Sequence, residues 1–209
     1  MDIKGQRLRL LYSDVLGVER GKYLFGDVAD AGHAAFCIGV YPLTTDREIL
    51  DISRQQFDIG LPDVEAHLDR DTIRPGWEEG TVVGIADMHQ GGAPIEVDPR
   101  QVLRAAVEPW QAMGLEPMMA FESEFYLLER DADGGAWQPV SLPSHRVYGT
   151  GAAVDPDGTV DDMVNALLRC GFPVEGWNSE YDESAYEVNV KYKEAMAAAD
   201  ECFLFRLLV

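Results

Sequence analysis

The chain has 209 residues, 46% of them hydrophobic, enough for one large domain or two small ones with a true core. Its 17 basic and 37 acidic side chains leave a formal charge of −20, which argues against nucleic acid or an anionic membrane as partner, since both call for basic patches. The sequence shows no transmembrane-length apolar run and no signal-peptide segment, and its three widely spaced cysteines (Cys37, Cys170, Cys202) suit the reduced thiols of a cytoplasmic protein.

Residues 7–13 (Arg-Leu-Arg-Leu-Leu-Tyr-Ser) read as a first strand. Gly17 and Gly21 supply a hairpin, and Tyr23, Leu24 and Phe25 return as a second strand. Residues 34–40 are apolar and suit a strand or a short buried segment. Residues 61–79 read as mostly turn, with short extended pieces. Thr81 to Asp87 is a strong strand, and Gln90-Gly91-Gly92-Ala93-Pro94 is a turn. The first 97 residues therefore read as a small, strand-rich α+β unit.

Asp98 as N-cap and Pro99 at the first helical position open a helix. Val102, Leu103, Ala106, Val107, Trp110 and Met113 recur at helical spacing, and Gly114 ends the run. Pro109 predicts a kink or an early stop. This helix marks a domain boundary, giving residues 1–97 and 98–209.

The acidic residues of the second part carry the chemistry. Ala120 to Leu128 reads as a strand on which Glu122 and Glu124, two apart, share a face. Carboxylates about 7 Å apart on one face raise each other's pKa unless a cation lies between them. A hard divalent ion such as Mg²⁺ or Mn²⁺ suits oxygen ligands of this kind; a solvated acidic face is the plainer alternative. Tyr186 to Tyr192 alternates strictly, with Glu187, Asn189 and Lys191 on the polar side. Val174 to Glu180 precedes it with Glu175 and Glu180. Polar faces of such strands could line one open funnel. Between them, residues 131–160 form a long Gly- and Pro-rich excursion of the sort often used as a lid. A helix follows from about Asp161 to Cys170, with Met163, Val164, Leu167 and Leu168 on one face and Gly171 as its stop. Another helix runs from about Lys193 to the end at Leu207-Leu208-Val209 with no stop signal, which reads as a chain that once continued.

The ordered set of Gly17-Val18-Glu19-Arg20-Gly21-Lys22, Leu61-Pro62-Asp63, Asp69 to Pro75, Asp98-Pro99-Arg100, Glu122-x-Glu124-Phe-Tyr-Leu, Glu180 and Glu187 seven apart, Asn189 and Ala197-Ala198-Ala199-Asp200 resembles the glutamine synthetase family. That family includes relatives that join glutamate to amines or polyamines, and the similarity covers essentially the whole chain. The resemblance implies a β-grasp-like N-terminal domain, then the first half of a catalytic domain with an antiparallel sheet and flanking helices. It implies that Glu124, Glu180 and Glu187 hold one Mg²⁺ or Mn²⁺ ion and that Glu122 helps hold another, with Glu175 on the nucleotide side. The implied reaction uses ATP to phosphorylate the γ-carboxylate of glutamate, and ammonia or an amine then displaces phosphate. The implied assembly is a homo-oligomeric ring.

Two departures stand out. Asn178-Ser179 replaces the family's His-His before Glu180, and Ser184-Ala185 replaces a Gly-Gln step before Glu187. Glycine allows a backbone turn that Ser184 does not adopt freely. This leans towards the amine-ligase branch over the ammonia-using enzyme. The family's second half, with a metal-binding histidine, another metal glutamate and substrate-binding arginines, has no counterpart in these 209 residues. The chain alone is therefore not expected to complete the reaction, and a catalytically inactive homologue serving as a metal-binding or assembly module is the alternative. His33, His67, His89 and His145 fall outside the motifs and read as surface or structural residues. Lys22 and Arg100 read as solvated or structural, not as phosphate ligands.

Overall fold

A computed structural model describes residues 5–50, 58, 60–131, 133–144 and 146–209. Its elements, in chain order, begin with β1 (Arg7–Ser13), β2 (Glu19–Leu24), α1 (Gly26–Ala31), β3 (His33–Cys37), β4 (Asp63–Leu68), β5 (Arg74–Pro75), β6 (Thr81–Gln90) and β7 (Ala93–Pro94). They continue with α2 (Pro99–Ala112), β8 (Met118–Met119), β9 (Glu122–Tyr126), β10 (Leu128–Arg130), β11 (Trp137–Pro139), α3 (Thr159–Arg169), β12 (Val174–Ser179), β13 (Ala185–Val190), β14 (Lys193–Glu194) and α4 (Ala195–Leu208). The chain divides into two compact units. The first is Met1–Pro117 with Ala195–Leu207, and the second is Met118–Glu194 with Leu208–Val209.

The first unit is built on a mixed sheet of order β2-β1-β6-β4-β3. β1 and β2 form the antiparallel hairpin, while β1 and β6 run parallel. β6 is central, and Thr81 to Ala86 are all buried. That explains its unbroken apolar run, because a strand covered on both faces loses alternation. Leu8, Leu10, Tyr12, Val64, Ala66, Val82 and Met88 fill the core against Ala29 of α1 and Ile38. α1 stops at Gly32, which has φ of 65°. A Cβ there would lie 2.8 Å from Leu68 Cβ, so both the backbone and the packing require glycine.

Sequence and structure part at β4. Residues 61–79 contain a six-residue strand that pairs with β3 and β6, where mostly turn was expected. Its apolar side, Val64, Ala66 and Leu68, alternates as a strand should, but Ala66 is small and the flanking Pro62 and Gly76 dilute the signal. α2 begins after Asp98 as expected, although the Asp98 side chain makes no capping hydrogen bond. The helix runs through Pro109 to Ala112. Pro109 forfeits one intrahelical bond near the C-terminal end, where little helix remains to be broken. In α3, Val160, Val164 and Leu167 are buried while Leu168 is 51% exposed, so the apolar face is narrower than expected.

The second unit carries the antiparallel sheet β12-β13-β9. Ser179, Tyr186 and Phe125 lie in one cross-strand row, and Trp177, Val188 and Ser123 in the next. Tyr186 and Val188 are fully buried. Trp177 Nε1 donates to Asp161 Oδ1 of α3 at 3.1 Å, tying that helix to the apolar face of the sheet. The opposite face holds the acids.

Candidate functional site

Strand register builds the acidic face. Asn178, Glu187 and Glu124 form one row across β12, β13 and β9. Gly176, Asn189 and Glu122 form the next. Glu180 follows β12, where its N–H donates to the Ala185 carbonyl at 2.8 Å and closes the loop into β13. Glu175 sits where the β12 register shifts between Val174 and Gly176. A side chain at such a bulge is re-aimed relative to its neighbours.

Two groupings result. The Glu187 carboxyl beside Glu180 pushes the Glu180 pKa up, and the charges of Glu187 and Glu124 push the same way. Asn178 Nδ2 donates to Glu180 Oε1 at 2.9 Å and opposes that shift. Carboxylates crowded in this way raise one another's pKa unless a cation lies between them. Glu122 and Glu175 instead share a cleft of about 400 Å³, lined also by Trp177, Asn178, Asn189 and Tyr192. All the donors in both groupings are oxygens, which fits a hard divalent ion. Among the described residues, the three-ligand group whose atoms all lie within 4.8 Å of one another is elsewhere, at His33, Glu65 and His67.

The two departures from the family pattern have structural roles. Ser179 is buried, accepts a hydrogen bond from the Gly149 N–H at 2.9 Å and donates to the Arg146 carbonyl. The Tyr148 N–H donates to the Ser179 carbonyl at 2.8 Å, and Tyr186 Oη donates to the Val154 carbonyl. The excursion after β11 is thus tied to both β12 and β13. At Gly149 a Cβ would lie 2.6 Å from Val154 Cγ1 and 3.0 Å from Ser179 Oγ, so the loop packs too closely for a side chain. Ser184 does adopt the left-handed turn expected of glycine, with φ of 57°. Its Oγ donates to the Val140 carbonyl and its own carbonyl accepts from the Leu127 N–H at 2.9 Å. These bonds offset the strain of a non-glycine residue in that conformation.

Residues left unassigned on sequence grounds also find partners. Lys22 Nζ donates to the Ala35 carbonyl and lies 4.6 Å from the centroid of the Phe36 ring. Arg100 is buried among Asp69, Asp87 and Asp200. Sequence reasoning missed the convergence of His33, His67 and His89, which lie on β3, β4 and β6. The spacing Glu65-x-His67 was its visible trace, hidden because β4 itself was not recognised. His145 lies outside the described residues.

Residues 96–209, more than half of the chain, match the family described as the glutamine synthetase catalytic domain, and the chain belongs to the glutamine synthetase family. Among characterised relatives, the glutamate–isopropylamine ligase of a Pseudomonas species is 28% identical over 212 residues, covering 95% of this chain and 46% of the relative. The γ-glutamylpolyamine synthetase GlnA3 of Streptomyces coelicolor is 33% identical over 207 residues, covering 94% and 43% respectively. The solved GmaS–ADP complex superimposes with a TM-score of 0.78 at 21% identity, covering 98% of this chain and 46% of that one, so the fold is shared. The chain spans about half the length of the curated relatives it matches. Among the described residues, no helix is long and apolar enough to cross a membrane.

Proposed function

We propose that this chain contributes the first part of an ATP-dependent ligase that joins glutamate to an amine as a γ-glutamyl amide. The observation that carries the reading is the gathering of Glu124, Glu180 and Glu187 on one solvent-facing side of the β12-β13-β9 sheet in a member of this family. Relatives named for isopropylamine, ethanolamide and polyamine products support an amine over ammonia.

In this reading Glu124, Glu180 and Glu187 hold one Mg²⁺ or Mn²⁺ ion, Glu122 helps hold a second, and Glu175 faces the nucleotide. Such ions neutralise charge on a phosphoryl group in transfer and screen two anions brought together. Asn178 keeps the Glu180 carboxylate oriented, and the Ser184 turn fixes where Glu187 emerges from its loop. The phosphoryl group passes from ATP to the γ-carboxylate oxygen of glutamate, leaving ADP. The amine nitrogen then bonds to the acyl carbon as phosphate departs, and the amine proton goes to solvent. The mixed sheet with β1 and β6 parallel supports a β-grasp-like domain over residues 1–97. The family match from residue 96 supports a catalytic half over 98–209. A ring of subunits in the cytoplasm completes the assignment.

The test is product formation by the whole ligase to which this chain contributes, from glutamate, ATP and Mn²⁺ with isopropylamine, ethanolamine, putrescine or ammonia, read by mass spectrometry. Amide from an alkylamine in excess of glutamine, abolished by Glu187→Gln, is the expected result. Manganese binding with no product from any amine would identify a metal-binding or assembly module instead. Unchanged manganese binding in both Glu124→Gln and Glu187→Gln would remove the metal assignment itself.

A further inference from the structure

A second cluster of ligating side chains lies in the first unit. β3, β4 and β6 are hydrogen-bonded neighbours, and their register sets His33 opposite His67 and Glu65 opposite His89. Glu65 and His67 are two apart on β4, so all four side chains share one face. Ala34, Val64, Ala66 and Met88 take the other face and are buried. The histidine face is therefore the outer one.

The geometry on that face approaches a coordination sphere. His67 Nε2 lies 3.2 Å from Glu65 Oε2, and His33 Nε2 lies 3.8 Å from the same oxygen. One ligand atom from each of the three lies within 4.8 Å of the other two. Donors around a tetrahedral ion with bonds of about 2.0–2.1 Å stand roughly 3.4 Å apart. Two of the three separations already bracket that value, and the half-exposed side chains are free to close the third. His89 packs edge-on against His67, with ring centroids 4.7 Å apart. His89 Nδ1 lies 3.3 Å from the Asp87 carbonyl oxygen.

We propose that His33, Glu65 and His67 form a surface site for a borderline transition-metal ion of the Zn²⁺ class, with water in the remaining position. Two imidazoles and one carboxylate select such ions over Mg²⁺ or Ca²⁺, which take oxygen ligands. The donor set thus differs in kind from the all-oxygen glutamate set of the second unit. The strongly negative charge of the chain raises the local cation concentration and adds to the attraction. The metal takes the lone pair of His67 Nε2, so the neutral ring then carries its proton on Nδ1.

Cobalt(II) serves as the probe on the full 209-residue chain, because its visible absorption reports four-coordinate nitrogen–oxygen sites. One equivalent is expected to bind with a visible band, to be displaced by Zn²⁺ and to persist in excess Mg²⁺. His33→Ala and His67→Ala are each expected to weaken binding by about tenfold or more, and Glu124→Gln with Glu187→Gln to leave the band intact. The mutated histidines are exposed, so circular dichroism and melting should match the parent. As a readout free of substitutions, zinc should shift the His33 and His67 imidazole resonances of the unaltered chain. A cobalt band that survives both histidine changes, or imidazole resonances that stay in place in millimolar zinc, would overturn the proposal.

Discussion

Arg100 grips both carboxylate oxygens of Asp200, a hundred residues further along the chain, through Nε at 3.0 Å and Nη2 at 2.9 Å. The same guanidinium donates from Nη2 to Asp69 at 2.8 Å and from Nη1 to Asp87. Arg104 backs this arrangement with a 2.8 Å bond to Asp87. Asp69, Arg100 and Asp200 all belong to the motif set that points to the family, and the structure gives them a common architectural task. They fasten α4 to the first unit beside α2 and the β6 strand. A planar fork matched to a carboxylate does this in a way a lysine cannot.

Removing one member of a buried ion pair leaves the other charge stranded. Arg100→Ala should therefore lower unfolding free energy by about 3–5 kcal/mol in urea titrations. Arg100→Lys should lose much of the same, because the bidentate geometry is gone. Arg104→Ala, at a side chain 39% exposed, should cost under about 1 kcal/mol. Equal effects at the two arginines would contradict this ranking.

Asp98 gives a pH signature. Its carboxyl is buried, one oxygen finds no hydrogen-bond partner among the described residues, and burial, reinforced by the Asp87 charge, raises its pKa to about 6. The folded chain then holds a proton that the unfolded chain releases from near pH 3.8 upward. Stability from this group is complete below that point and is lost as pH rises towards 6. Asp98→Asn should raise stability at pH 7 by about 1–3 kcal/mol and flatten the slope between pH 4 and 6. A slope unchanged by the substitution would place the titration elsewhere.

Ser184 separates strain from hydrogen bonding. Ser184→Gly relieves a left-handed backbone but deletes the bond to Val140, two effects of about 1 kcal/mol each that oppose one another. Ser184→Ala deletes the bond and keeps the strain. Thermal melts should show glycine near the parent and alanine lower by about 1–3 kcal/mol. Equal losses in the glycine and alanine variants would mean that the hydroxyl, and not the backbone, governs the loop.

The interaction between Glu180 and Glu187 is open to direct observation. Replacing Glu187 by glutamine removes the neighbouring charge and offers an amide N–H to the Glu180 carboxylate. The Glu180 titration midpoint should fall, as followed by carboxyl carbon resonances. Because a proton and a divalent ion compete for the same oxygens, manganese affinity of the parent should rise with pH through the Glu180 titration. A midpoint that does not move in Glu187→Gln would mean that Glu187 does not raise the Glu180 pKa.

Where periodicity was strong, the sequence was legible. The β1–β2 hairpin, the buried β6 run, α2, α3 and the alternating β13 all follow from local pattern and turn chemistry. The side-by-side arrangement of Glu122 and Glu124 followed from strand geometry alone. What stayed hidden depended on pairing between distant segments. No local rule sets Glu124 beside Glu187, brings His33 to His67, or sends Asp200 to Arg100. Ser179 likewise reads as an anonymous polar residue until its hydroxyl is found holding Arg146 and Gly149. The Ser184 turn shows the converse, in which a rule about glycine is overridden by two hydrogen bonds that only the folded loop supplies.

The first unit is discontinuous, with Ala195–Leu207 completing a body otherwise built from residues up to Pro117. During synthesis at about 5–20 residues per second, several seconds separate the emergence of α2 from that of α4. Over that interval Arg100 has only Asp69 and Asp87 to hold, and the flank that α4 will cover stays bare. The nascent first unit therefore lacks the bidentate partner of Arg100 until Asp200 arrives with α4.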